Sequence, residues 1–280
     1  MDTVYKVKEI ITNNIVRAVN GEDVEVLLIG KGIGFSRHKN DVITSKGVHN
    51  IFELKDKQEK NLYNQLLKTI SPKLIELAND SIDYIQNRVN QPVNEHIHIA
   101  LTDHIAYMVR RCKLGVPLGN PFEIEIENLY PKEYKIAKGV VEYLSEELNM
   151  YIPKSEVSFI TLHIVSALSS DSLASVQKHT KLMLKLINVI ESSLMCVLDR
   201  QSLNYVRLIT HLRFAIERVE RKERLDVPKE FSDVLREKHK ELYTLAYKLV
   251  MILQKELNTE VSPAEITYLT IHLYQFAGKM

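Results

Sequence analysis

The feature that most constrains this chain is that most of its length is written twice. YKIAKGVVEYLSEELNMYIPKSEVSFITLHI, from Tyr134, aligns without a gap with YTLAYKLVMILQKELNTEVSPAEITYLTIHL, from Tyr243, at an offset of 109 residues. The alignment pairs Ala137 with Ala246, Leu144 with Leu253, Glu147-Leu148-Asn149 with Glu256-Leu257-Asn258, Glu156 with Glu265, and Thr161-x-His163 with Thr270-x-His272. Upstream, LTDHIAYMVRR from Leu101 meets LITHLRFAIER from Leu208 at an offset of 107 residues, setting His104 opposite His211. Whatever fold the first copy adopts, the second must adopt as well.

Both copies read as helix. Ala137, Val140, Val141, Leu144 and Leu148 recur at the spacing of one helical face, and Ala246, Leu249, Val250, Leu253 and Leu257 repeat it. Ser262-Pro263-Ala264-Glu265 spells an N-cap, a proline at the first helical position and a capping glutamate, so His272 falls on a helix that begins just before it. Two all-α bundles are expected, over residues 66–172 and 173–280.

The first 60 residues have a different texture. VYKVKEII, NIVRAV, EVLLIG, GIGFS and HNIFEL are short and rich in β-branched residues, with turn signals at Asn13-Asn14, Asn20-Gly21, Gly30 to Gly34 and Lys46-Gly47. They predict a small antiparallel sheet, marginal alone, for which dimerisation is a natural remedy. The charged run KDKQEK is either a linker or the exposed first turn of the next helix. The expected fold is multidomain: a small all-β domain over 1–60 followed by two homologous helical bundles.

Composition narrows the function classes. No stretch approaches the roughly 20 apolar residues of a membrane span, and MDTVYKVKEIITNN lacks the basic flank and apolar centre of a signal peptide, so a cytoplasmic protein is expected. Cys112 and Cys196 lack nearby cysteine partners, which suggests neither a disulfide framework nor a thiolate metal site. A net charge of +1 means that any nucleic-acid contact must come from a local patch. Phosphate-loop, nucleophile-elbow and HExxH patterns are missing, so no catalytic site and no cofactor are expected. Gly30 to Gly34 superficially looks like a phosphate loop, but it lies between short strands and more simply makes a tight turn. His96-x-His98 beside Asp103 and His104 looks like a metal cluster, yet side chains two apart on a helix point about 200° apart, so no metal is expected.

The histidines in register carry the chemistry. His104 and His211 match, as do His163 and His272, the latter two interrupting apolar runs. On spacing alone they read equally well as retained core histidines or as phosphoryl acceptors, since a neutral imidazole offers one nucleophilic nitrogen. Arg111 and Arg218, seven residues after His104 and His211, share their helical faces and suit a phosphate. Asp103 could orient His104, but the second copy has Thr210 in that place.

Taken together, NNIV at Asn13 to Val16, GKGIGF at Gly30 to Phe35, ALTDHIA, ITLHIVSAL, LITHLRF and YLTIHLY resemble the BglG/LicT family of transcriptional antiterminators over the full length. IGKGIGF, NEHIHIALTDHIAYMVRR and LYPKEY are most similar to its glucose-specific, GlcT-type members. The resemblance implies a dimeric co-antiterminator domain that binds a leader-RNA hairpin and blocks a terminator. It also implies two phosphotransferase regulation domains, phosphorylated on His104, His163, His211 and His272 by a sugar-specific enzyme II and an HPr-type phosphocarrier, with Asp103, Arg111 and Arg218 in support.

For RNA the resemblance points to Asn13, Asn14, Gly30, Lys31, Gly32, Phe35 and Arg37: polar groups for base edges, an aromatic ring for stacking, cations for phosphates. Lys31 stands where many members have Arg, and Glu9 where many have Lys. The alternative is a DNA-binding activator with the same regulatory domains, which needs a helix-turn-helix that residues 1–60 do not spell.

Overall fold

The computed structural model describes residues 3–48, 50–53, 62, 65, 66, 69–169 and 171–277. The KDKQEK run lies outside them. Residues pack as two units, Met1–Gly119 with Lys135–Ser170, and Asn120–Tyr134 with Asp171–Met280.

The first unit opens with five strands: β1 (Val4–Thr12), β2 (Ile15–Val19), β3 (Glu25–Ile29), β4 (Val42–Thr44) and β5 (Asn50–Glu53). They form one sheet in the order β4-β1-β2-β3-β5, with antiparallel neighbours throughout. Alternation of side chains explains why its strands look almost continuously apolar. Val16, Ala18, Val26 and Leu28 point to one face, where Tyr5, Val7 and Ile43 join them. Ile15, Leu27 and Ile29 point to the other, against Ile75 and Ile99 from the helices that follow.

One expected strand is replaced. GIGFS is a run of turns, because Gly32 and Ser36 hold φ of 71° and 56°, in the left-handed region that no strand tolerates. The strand beside β1 is instead β4, whose three residues are too short to announce a period of two. Among the described residues of 3–53 there is no helix.

The helices are α1 (Pro72–Gln86), α2 (Ile97–Lys113), α3 (Glu123–Leu129), α4 (Pro131–Leu148), α5 (Ser155–Leu168), α6 (Leu173–Leu194), α7 (Leu203–Glu220), α8 (Lys229–Lys238), α9 (Lys240–Leu257) and α10 (Ala264–Ala277). The shared triplet Glu-Leu-Asn has a backbone cause: Asn149 and Asn258 follow α4 and α9 at φ of 47° and 50°. Asparagine tolerates that left-handed turn better than other residues with a Cβ, and so ends both helices. The expected stripes are core faces: Ala137, Val140, Val141 and Leu144 are buried, as are Ala246, Leu249, Val250 and Leu253.

Two details differ from the repeat as written. Ser262 does accept from the Ala264 backbone N–H, at 3.4 Å, but Glu265 does not cap; its carboxylate is used elsewhere, as described below. And α3, written inside the first copy, packs in the second unit against α7. There Glu125 is buried and accepts a hydrogen bond from the Tyr205 hydroxyl, Arg200 bridges Glu125 at 3.6 Å and Glu191 at 3.1 Å, and the Asn128 amide donates to the Arg200 carbonyl.

Candidate RNA-facing loop and paired histidine sites

The β1–β2 hairpin turn and the loop after β3 are stitched into one surface. Backbone N–H groups of Gly30 and Gly34 donate to the carbonyls of Asn14 and Asn13, both at 2.9 Å, and the Gly32 N–H donates to Asn14 Oδ1 at 2.7 Å. The close approach demands glycine: a Cβ on Gly30 would sit 2.2 Å from the Gly47 carbonyl oxygen.

The resulting loop presents Lys31, Gly32, Phe35 and Arg37 to solvent beside the exposed Asn13, while Gly30 is buried beneath it. Phe35 is 69% exposed, so it is not a core aromatic. The seven RNA candidates therefore share one neighbourhood. Asn14 also has a structural task, since its side chain fixes Gly32. Glu9 forms an ion pair with Arg17, its cross-strand neighbour, at 2.8 Å.

In the first copy, α2 carries His104 and Arg111 on one face and α5 carries Glu156 and His163 on one face, seven residues apart in each case. Where these helices meet, the two imidazoles lie 4.8 Å apart between centroids, tilted by 44°. Glu156, fully buried in the first turn of α5, joins the rest: Oε1 accepts from Arg111 Nη2 at 2.8 Å, and Oε2 lies 3.2 Å from His104 Nε2. Arg111 is itself buried, and its Nε and Nη1 have no hydrogen-bond partner among the described residues. Burial, together with the neighbouring His104 and His96, drives the His163 pKa well below its ordinary value, so this ring is neutral with a lone pair on one nitrogen.

The second copy repeats the arrangement from α7 and α10 with different details. His211 and His272 stack at 3.4 Å, nearly parallel at 18°. Glu265 receives Arg218 through two parallel hydrogen bonds, Nε to Oε1 at 2.8 Å and Nη2 to Oε2 at 2.9 Å. The nitrogen Nδ1 of His211 is 2.7 Å from the Tyr268 hydroxyl. Burial, then the His211 and Arg218 charges, lower His272 to about 4, while burial, Arg218 and Arg207 lower His211. Both rings line an open cleft of about 450 Å³ that includes Arg207 and Tyr274.

The two histidines that each copy contributes to the repeat thus meet in space, His104 with His163 and His211 with His272. Arg111 reaches its pair through Glu156, whereas Arg218, held by Glu265, lies over the Tyr268 ring, whose hydroxyl meets His211. Asp103 is exposed, and the carboxylate beside His104 belongs to Glu156. Sequence reasoning overlooked Glu156, Glu265 and Tyr268 as site residues. The two glutamates stood opposite each other in the repeat, but first-turn glutamates usually cap. His98 is a core residue: it is buried with Nδ1 3.3 Å from Asn79 Oδ1, and burial lowers its pKa to about 4.

Comparison with known proteins fits this geometry. Residues 5–61 match the CAT RNA binding domain, and residues 79–167 and 184–276 each match the PRD domain. The chain belongs to the antiterminator family that joins a CAT RNA-binding domain to two PRD domains. Over all 280 residues it is 42% identical to the PtsGHI operon antiterminator of Bacillus subtilis (strain 168), covering 100% of both chains. It is 33% identical over 278 residues to Protein GlcT of Staphylococcus aureus (strain Newman), covering 99% of this chain and 98% of the relative. The crystal structure of GlcT CAT-PRDI, 45% identical, superposes with a TM-score of 0.56 over 59% of this chain and 99% of that one. No helix among the described residues is long and apolar enough to cross a membrane.

Proposed function

We propose that this antiterminator binds a leader-RNA hairpin as a homodimer through its sheet domain, 1–60, and so lets transcription proceed into a glucose phosphotransferase operon. Regulatory domains over 66–172 and 173–280 control it. They act as phosphoryl acceptors and have no catalytic role of their own. The observation that carries this is the recurrence, in both copies, of two touching imidazoles from two helices with a glutamate-held arginine beside them.

The chemistry follows from the pair. An imidazole lone pair of His104 or His163 attacks the phosphorus of a phosphohistidine donor, the new N–P bond forms, and the donor's N–P bond breaks with its electron pair returning to the donor ring. The donors are a sugar-specific enzyme II and an HPr-type phosphocarrier. The product brings about −1.5 to −2 charge beside the Glu156 carboxylate. At roughly 4 Å and an effective dielectric of about 20, each pair of unit charges repels by about 4 kcal/mol.

Arg111 has buried N–H groups to spare and is the natural partner for the phosphate. Turning toward it loosens the grip on Glu156, and with it the packing of α2 on α5. The first copy thereby becomes a brake on the dimer, whose RNA affinity depends on two sheets remaining paired. Asn13, Asn14, Lys31, Phe35 and Arg37 meet the RNA.

The test is phosphorylation of the full chain with each purified donor, mapped by mass spectrometry, alongside sedimentation and leader-RNA binding. Modification of His104 or His163 should lower both dimer content and RNA affinity, and His104→Ala and His163→Ala should antiterminate without regard to the sugar. An unchanged dimer with unchanged RNA affinity after phosphorylation would leave these histidines as core residues.

A further inference from the structure

The two copies share their histidines, arginine and glutamate but not what touches the α2-type histidine. Position 268 holds Tyr where the first copy has Phe159, so only the second copy has a hydroxyl there. That hydroxyl lies 2.7 Å from His211 Nδ1, and the tyrosine is fixed in turn: the Arg218 guanidinium sits 4.1 Å above its ring, and Glu265 clamps Arg218 from both nitrogens. The Phe159 ring stands 6.0 Å from His104 and can hold neither nitrogen; a carboxylate, that of Glu156, approaches this imidazole instead, at Nε2.

We propose that Tyr268 is a positioning residue for His211, holding its Nδ1 so that Nε2 is the nitrogen offered to a phosphoryl donor, a device with no counterpart in the first copy. This rests on the proposed role of the second-copy histidines as phosphoryl acceptors. The ring is held in the tautomer whose Nδ1–H donates to the Tyr268 oxygen, leaving the lone pair on Nε2. As that lone pair forms the bond to phosphorus, the donor imidazole leaves with the electron pair of the broken N–P bond. His211 keeps its Nδ1 proton, and the phenolic oxygen stabilises the positive charge that develops on the ring. Arg207 is exposed one turn earlier on α7, lines the same cleft, and supplies a cation for the incoming phosphoryl oxygens. His272 touches Tyr268 only through its ring, with centroids 4.4 Å apart, so its acceptance of phosphate does not depend on the hydroxyl.

Tyr268→Phe deletes the hydroxyl and keeps the ring that His272 and Arg218 pack on. The experiment follows phosphorylation of the full-length chain by a phosphohistidine carrier protein, resolved by site, in wild type and Tyr268→Phe, with 15N spectra of the imidazoles in the unphosphorylated proteins. Tyr268→Phe should slow modification of His211 about tenfold, the worth of one well-placed hydrogen bond, leave His272 within about twofold, and move the His211 Nδ1 resonance while the thermal midpoint holds. Equal slowing at both histidines, or none at either, overturns the positioning role. Wild-type protein that never accepts phosphate at His211 refutes the acceptor reading of the second copy and this proposal together. The reciprocal Phe159→Tyr should shift a His104 nitrogen resonance in the same sense; no shift in either variant also refutes the idea.

Discussion

Replacing Glu156 by Gln tests the architecture of the first site most directly. Glu156 is fully buried and is the anion that both Arg111 and His104 approach. Its neutral analogue keeps the shape and one acceptor for Arg111 Nη2 but strands a guanidinium that is only 8% exposed. Removing one partner of a buried ion pair costs about 3–5 kcal/mol. The surviving amide hydrogen bond returns about 1 kcal/mol of that, so a net loss of about 2–4 kcal/mol is expected. For a unit of this size each kcal/mol lowers the midpoint by about 2–4 °C, which makes a drop of roughly 4–16 °C.

Differential scanning calorimetry of the full chain at pH 7.5 should show this drop in the first unit's transition, with the second unit's unmoved. Adding Arg111→Met to Glu156→Gln removes both charges and should restore much of the loss, a strong coupling in a double-mutant cycle. A shift below about 1 °C, or simple additivity, would mean that water already satisfies Arg111 and that the Glu156 hub does not hold the site together.

Phe35→Ala should weaken leader-RNA binding by about 1–3 kcal/mol, the worth of one stacked base, and change stability by no more than about 0.5 kcal/mol, because an exposed ring leaves no cavity; a large loss of stability would place Phe35 in the fold instead. Lys31→Ala should reduce affinity and flatten the slope of log K against log salt by about one unit, and an unchanged slope removes it from the phosphate contacts. Asn14→Ala should lower affinity and also raise amide exchange at Gly32, since Oδ1 is that amide's partner; protection that stays intact would argue against the stitched loop. His98 is neutral when folded, with its pKa lowered by burial to about 4 from 6.5, so its contribution is complete above pH 6.5 and fades as pH falls toward 4. The shift corresponds to about 3 kcal/mol, and urea midpoints of wild type and His98→Gln between pH 7.5 and 4.5 should converge in acid; parallel curves would contradict it.

Helices and the repeat were legible because periodic burial writes itself into sequence: Val140, Val141 and Leu144 reappear as Leu249, Val250 and Leu253, and both triplets line cores. The histidines were legible as matches between the copies. That the two within each copy touch was not, because ring contact depends on where two helices cross. The glutamates were hidden by an ambiguity of position, a first-turn carboxylate serving equally as a cap or as an ion-pair partner. GIGFS misled because isoleucine and phenylalanine advertise a strand, while the left-handed backbone at Gly32 and Ser36 forbids one. The role of Tyr268 was invisible for a simpler reason: Tyr and Phe are interchangeable in a hydrophobic pattern, and only a hydroxyl 2.7 Å from a nitrogen tells them apart.

The placement of α3 bears on how this chain could be cut. Because residues 120–134 pack with the second unit, the polypeptide passes from one unit to the other at three places, after Gly119, after Tyr134 and after Ser170. A single proteolytic nick at any of them leaves two covalent ties, so the halves stay together on a native gel where a protein strung on one linker would fall apart. Expression from residue 173 onward gives a domain without α3: Tyr205 loses the carboxylate its hydroxyl donates to, Arg200 keeps only Glu191, and the side of the core covered by Leu129 is laid open. The borders inherited from the duplication are therefore not the borders at which the molecule can be divided: a second domain that keeps α3 without the first unit's α4 and α5 needs residues 120–134 joined directly to residue 171 onward.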